Sequence, residues 1–219
     1  MSDRLQMTSK ATLKGMAVDI HSIKGIVATV KDEAALAAAL KSPCETLFIL
    51  YGTISTIESI VHRAKRTGRC VLVNIDMVDG YAPRASAVDH VRRHTPADGI
   101  LSSKAAVVRA AREAGLIGIQ RLFMIDSFAY HQIPEQIKSS QACGLEILPG
   151  CVPRVLSWIR ADTDLPLIAG GLVCDANDAR NAMRVGAQAV ATSCQALWSL
   201  GRDDLLADPR QPRPLAACG

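Results

Sequence analysis

The stretch DGILSSKAAVVRAAREAGLIGIQRLFMIDS, residues 98–127, decides the fold. It opens on a short apolar run, Gly99-Ile100-Leu101, with polar residues on both sides. A helical pattern follows from near Lys104: Val107, Val108 and Ala111 fall on one face of a 3.6-residue period, and Gly115 stops it. A second apolar run, IGIQRLF, begins at Ile117. The unit is therefore strand, helix, strand. Its strands are almost continuously apolar rather than alternating, which is what a parallel sheet covered on both faces requires.

The same unit repeats along the chain. Apolar runs start near Ile26 (IVATV), Leu47 (LFILY), Cys70 (CVLVNI), Gly99 (GIL), Ile117 (IGIQRLF), Leu145 (LEIL), Pro166 (PLIAG) and Ala189 (AVAT). The mean step is about 23 residues, the length of one tight strand–helix unit. Between the runs, Ser55 and Glu58 read as a capping box, Gly68 as a helix stop, Pro153 as a first-turn proline, Asp175 or Asn177 as a cap and Gly186 as a stop. Eight repeats predict an α/β fold, a compact (β/α)8 TIM-like barrel with parallel strands and short loops over residues 25–200. Residues 1–24 read as an N-terminal extension and residues 201–219 as a Pro-rich tail. Such barrels need at least roughly 200 residues, so little is left for a lid. The competing architecture is an open doubly wound sheet. The turn after the first strand, Lys31-Asp32-Glu33, carries no glycine fingerprint, which argues against a dinucleotide site there.

Composition narrows the function classes. Hydrophobic residues at 49% and charged residues at 21% exclude wholesale disorder. Twenty-five Lys and Arg against 21 Asp and Glu give +4, too little for a polycation but enough for a local basic patch. Aromatics at 4% argue against binding single strands by extensive base stacking. The seven cysteines (44, 70, 143, 151, 174, 194 and 218) are odd in number and form no CxxC, so they read as reduced thiols of a cytoplasmic protein, with no metal site and no cofactor expected. No signal peptide or membrane-length apolar run is present in the sequence.

In a barrel, chemistry collects where the strands end. Strand 3 ends in Asn74, Ile75 and Asp76, and alternation predicts Asn74 and Asp76 on one side. Strand 4 runs into Ser102, Ser103 and Lys104. Strand 5 holds Gln120 and Arg121 and leads to Asp126, and strand 6 holds Glu146. A charge inside an apolar strand is costly unless paired, so Arg121 and Glu146 read either as a structural pair across the mouth or as ligand contacts. Gly170 and Gly171 after strand 7, with Thr192 and Ser193 after strand 8, match the loops that recurrently hold phosphate in such barrels. Lys104 reads as a phosphate counter-charge, a Schiff-base nucleophile or a solvated first-turn lysine, the first being favoured. Asp76 with Glu146 reads as an acid/base pair or as acceptors for substrate hydroxyls. Two basic runs at helix C-terminal ends contribute Arg63, Lys65, Arg66, Arg69, Arg92 and Arg93. They read either as dipole-compensating surface charge or as an RNA-phosphate patch on the face away from the mouth.

The segments VNIDMVDG (73–80), DGILSSK (98–104), IQRLFMIDS (119–127), EILPG (146–150), IAGGLV (168–173) and ATSCQALW (191–198) together resemble the glycerol uptake operon antiterminator family, over about Gly25 to Trp198. The resemblance implies a barrel that responds to glycerol-3-phosphate and binds the leader mRNA of glycerol-utilisation operons, preventing termination. By matched motif it makes Asp76, Lys104, Gln120, Arg121, Asp126, Glu146, Gly170, Gly171, Thr192 and Ser193 the ligand-binding candidates, with no catalytic residue. The partners it leads us to expect are glycerol-3-phosphate or a similar small phosphate and leader mRNA, with no membrane; a homodimer is allowed. Asn74 stands where the family commonly has His, and Ser102-Ser103-Lys104 where it commonly has Ser-Thr-Lys. The alternative is a phosphate-substrate barrel enzyme: a sugar-phosphate isomerase, an aldolase or one resembling prenyl-glycerol-phosphate synthases.

Overall fold

A computed structural model describes residues 19–206. Residues 1–18 and 207–219, which hold most of the expected extension and Pro-rich tail, lie outside the described residues. Eight strands close a barrel in sequence order: β1 (Gly25–Val30), β2 (Thr46–Ile49), β3 (Cys70–Asn74), β4 (Gly99–Ser102), β5 (Ile117–Phe123), β6 (Gly144–Leu148), β7 (Leu167–Gly170) and β8 (Ala189–Thr192). Every neighbour pair is parallel, and the seam joins β1 to β8 with Val27 opposite Ala191. The open sheet is thereby excluded. Helices α1 (Glu33–Ala39), α2 (Ile57–Lys65), α3 (Ala85–His94), α4 (Ala105–Glu113), α5 (Ser127–His131), α6 (Ile133–Ser140), α7 (Pro153–Asp162) and α8 (Ala176–Arg184) fill the crossovers. A short α9 (Arg202–Leu206) follows and buries Leu205, so the fold continues past residue 200. No helix among the described residues is long and apolar enough to cross a membrane.

The near-continuous apolar character of the strands follows from a two-sided core. One parity packs outward against the helices: Ala28, Leu47, Val73, Ile100, Ile147 and Val190 belong to this layer. The other parity fills the lumen with Val27, Phe48, Leu72, Leu101, Ile119 and Ile168. Ile20 and Ile23, on and just after a short 3-10 turn (Ile20–Ser22), close the lumen from the N-terminal side of the strands. Gln188 latches that plug, its Nε2 donating to the carbonyls of Ile20 at 2.9 Å and Ile23 at 2.7 Å.

Helix ends follow local chemistry, with one correction. Asp32 accepts from Ala35 N–H at 2.7 Å, and Asp175 accepts from the N–H groups of Asn177 and Asp178. Gly68, Gly115 and Gly186 take positive φ where helices stop. The expected Ser55–Glu58 capping box does not form. Thr53 and Thr56 instead build a hydroxyl turn, in which Thr53 N–H donates to Thr56 Oγ1 at 2.9 Å, and the helix begins at Ile57. The turn is held by an isolated bridge from Thr53 to Asp79, a partner no local motif reveals.

Because the lumen is a packed core and not a pore, Phe48→Ala should destabilise the protein by about 3–5 kcal/mol. Urea denaturation of the variant against the wild type measures this.

Candidate functional site

The C-terminal ends of the strands open into a cavity of about 490 Å³. Its wall is formed by Thr29 of β1 and Lys31 just after it, Arg121 and Glu146 from β5 and β6, and the loops after β7 and β8. Arg121 and Glu146 are register partners on adjacent strands. Arg121 Nε donates to Glu146 Oε2 at 2.6 Å, and both side chains are almost fully buried. Burial pushes the Glu146 carboxyl above its ordinary range; the Arg121 guanidinium pulls it back, but not all the way. Gly170 makes this pair possible. A Cβ there would stand 3.0 Å from Glu146 Cδ and closer still to Oε1.

The phosphate-type loops are built as follows. Gly171 and Leu172 both take left-handed φ, +72° and +55°. For a leucine that conformation costs roughly 1–2 kcal/mol, and Leu172 is 70% exposed, so burial of its side chain does not offset the cost. Gly150 N–H donates to the carbonyls of Gly170 and Gly171, at 2.6 and 2.9 Å, which fixes those carbonyls away from the loop's own N–H groups. Among the described residues, no group accepts from the N–H of Gly171, Leu172 or Ser193, and all three residues line the cavity. Thr192 holds the two loops together: its hydroxyl donates to Val173 O at 2.8 Å and accepts from Cys194 N–H at 3.0 Å. The loops thus offer unpaired donors with Lys31 on the same wall, an arrangement suited to an anion.

The other expected residues are distributed differently. Asp76 lies in a 3-10 turn (Ile75–Met77) beyond the end of β3, so the alternation that would pair it with Asn74 breaks. Its carboxylate accepts from Ser102 Oγ and Ser103 N–H, both at 2.6 Å, tying β3 to β4 rather than lining the cavity. Asn74 keeps the parity of Leu72, is fully buried, and has an unpartnered Nδ2. Gln120 has the outward parity, between Ile119 and Arg121, and its Nε2 donates to the carbonyls of Ser103 and Arg121. Lys104 is exposed at the start of α4, with its N–H on Ser102 Oγ. Asp126 caps α5 through Ala129 N–H and borders a separate cavity. Arg121, Glu146, Gly171, Thr192 and Ser193 therefore meet at the mouth, with Gly170 directly behind Glu146. Sequence reasoning passed over Lys31, although its place as the first residue after β1 is the available signal.

The six basic candidates are mostly engaged. Arg63 pairs with Glu33, and Lys65 grips both Asp98 oxygens at 2.8 and 2.7 Å. Arg93 pairs with Asp89 one helical turn away. Arg69 donates to the carbonyls of Leu40, Ser42 and Cys44, and Arg92 to that of Ala114, so both keep their net charge. Arg66 is exposed at the end of α2 and has no ion pair among the described residues.

Comparison with known proteins adds three findings. The family model for the glycerol-3-phosphate responsive antiterminator matches residues 26–198. An uncharacterised Escherichia coli K12 protein, YgcP, is 41% identical over 177 residues, covering 81% of this chain and 93% of that protein. Among solved structures, the glycerol uptake operon antiterminator regulatory protein of Listeria monocytogenes superposes with TM-score 0.75 at 28% identity, covering 77% of this chain and 91% of its own. An antiterminator-related protein of Thermotoga maritima gives TM-score 0.72 at 29% identity, covering 80% and 98%. Enzymes such as the Pyrococcus horikoshii orotidine 5'-phosphate decarboxylase, TM-score 0.62 at 16% identity, share the fold alone.

The raised Glu146 carboxyl gives a pH test. Between its unfolded pKa and its higher folded pKa the native state holds more protons than the unfolded state, so this group's contribution to stability falls as pH rises through that window. Glu146→Gln lacks this dependence. The Tm of the variant minus that of the wild type should therefore increase from about pH 4 to pH 7. Differential scanning calorimetry across that range measures it, and a flat difference contradicts it.

Proposed function

The chain belongs to the glycerol-3-phosphate responsive antiterminator family, and from that premise we propose that its barrel mouth seats glycerol-3-phosphate and that occupancy controls its hold on a leader mRNA. The observation that carries the ligand half is the meeting of Lys31, the Arg121–Glu146 pair and the unpaired N–H groups of Gly171, Leu172 and Ser193 around one cavity of about 490 Å³. The phosphate sits on the two loops, where backbone donors and the Ser193 hydroxyl receive its oxygens and Lys31 balances its charge. The glycerol hydroxyls turn inward to Glu146, whose carboxylate accepts from them while Arg121 holds it in place.

The geometry favours binding over turnover. Glu146 is the only carboxylate lining the cavity among the described residues, and Arg121 already holds it. Asp76, the second member of a conceivable acid/base pair, spends its oxygens on Ser102 and Ser103. A two-carboxylate acid/base mechanism would need a second carboxylate free at the mouth.

RNA phosphates meet the opposite end of the barrel, on Arg66 and Arg92, exposed expected cations whose charge no carboxylate neutralises among the described residues. Coupling requires the two states of the protein to differ in affinity for both ligands. A transcript partner places the protein in the cytoplasm.

Isothermal titration calorimetry should show glycerol-3-phosphate binding that Lys31→Met weakens by roughly 10–100-fold, the effect of removing one charge-assisted hydrogen bond. Ser193→Asp should abolish it by placing a like charge against the phosphate. Absence of heat with the wild type refutes the ligand. For RNA, Arg66→Glu with Arg92→Glu should weaken leader binding and reduce the slope of log affinity against log salt by about one for each phosphate no longer neutralised. Unchanged affinity in a gel shift removes that surface.

A further inference from the structure

The chain has three Phe, three Tyr and two Trp. Phe123 ends β5, Phe128 and Tyr130 lie on α5 just after it, and Trp158 lies on α7, where its ring meets that of Tyr130. Three of them, Phe123, Phe128 and Trp158, are 47%, 70% and 45% exposed, and Ile125 beside them is 85% exposed. The Tyr130 and Trp158 rings meet edge to face at 6.0 Å over a largely apolar hollow of about 570 Å³. An aromatic-poor chain that leaves three of its eight aromatics exposed is not using those three for its core, and Trp, Tyr and Arg are the residue types that anchor protein interfaces.

We propose that this surface is the contact between two copies of the chain, related by a two-fold axis. The charges at its edge select that occupant. Arg154 lies over the Trp158 ring at 5.1 Å and has no ion-pair partner among the described residues. Asp126 borders the same hollow; its carboxylate accepts only from Ala129 N–H and likewise has no cation among the described residues. One unpaired cation and one unpaired anion around an apolar centre are self-complementary: a two-fold brings Arg154 of each copy to Asp126 of the other. The Asp162 carboxylate, bonded to the Tyr130 hydroxyl, adds further negative charge. A polyanion such as RNA has no cationic face to bind here.

Sedimentation equilibrium on the full chain tests the contact. The wild type should be dimeric at about 10 µM. Ile125→Asp with Phe128→Asp should yield a monomer that keeps the wild-type far-UV circular dichroism, because both side chains are exposed in the single chain, with Tm lowered only by the lost association. Arg154→Asp should weaken the dimer at least tenfold, and adding Asp126→Arg to it should restore association by exchanging the charges. Calorimetric Tm values separate loss of the α5 cap from loss of the interface. A wild type that stays monomeric to about 100 µM overturns the proposal, whether or not the patch variants then alter leader-RNA affinity. So does a dimer that survives Ile125→Asp with Phe128→Asp, which locates the interface elsewhere.

Discussion

A carboxylate and a guanidinium buried side by side at the rim of an apolar lumen constrain everything around them. Neither charge is tolerable there alone, so the Arg121–Glu146 bond depends on the register that sets these two residues opposite each other on β5 and β6. The same bond requires a residue without a side chain on β7, and Gly170 supplies it. Gly150 then packs against the backbone of Ala169 and Gly170, and its N–H fixes the carbonyls that leave the neighbouring loop with free donors. The anion-binding character of the loops and the polarity of the mouth are thus parts of one packing solution.

The two ends of the barrel use their polar groups in opposite ways. On the side where helices run into strands, Lys65, Asp98, Arg69 and Gln188 are consumed in bonds that tie neighbouring units together and seal the lumen. Cys44 and Cys70 lie on that side too, their thiols pushed up by burial, Cys70 to about 12, so both are poor nucleophiles. At the mouth, donors are left unpaired, Leu172 carries a strained backbone, and large apolar side chains stand in solvent. Bonds that tie neighbouring units occur at both ends, but the unpaired donors, the strained Leu172 backbone and these exposed apolar side chains collect at the mouth.

The barrel was legible because eight short, doubly covered strands leave an apolar imprint that periodicity alone detects. The Arg121–Glu146 pair and the loops after β7 and β8 were legible for the complementary reason that charges in apolar strands and paired glycines stand out. What failed was geometry one residue beyond a strand. Asn74 and Asp76 separate because the chain turns into a 3-10 helix after Asn74, which no alternation rule anticipates. Gln120 sits next to an inward arginine and so points outward, a parity fixed only once Ile119 and Arg121 are assigned to the lumen. Lys31 was hidden in a turn read for the glycines it lacks. The bonds that occupy Arg63, Lys65 and Arg93 come from carboxylates whose proximity is tertiary, except for the helical neighbour Asp89.

The Gln188 latch has a temporal meaning. It joins positions 168 and 165 residues apart in the chain, and the β1–β8 seam beside it closes over the same span. While the chain emerges from a ribosome, β1 has only β2 for a neighbour and its other edge stays unpaired until the final repeat is made. The lumen cannot be sealed, nor the mouth completed by its last loop, before then. Such long-range closure is slow and leaves an open edge exposed to other chains meanwhile. Synthesis through the last strand and the loop after it is therefore a precondition for forming the site at all, and a product truncated before β8 would lack both the site and the seam.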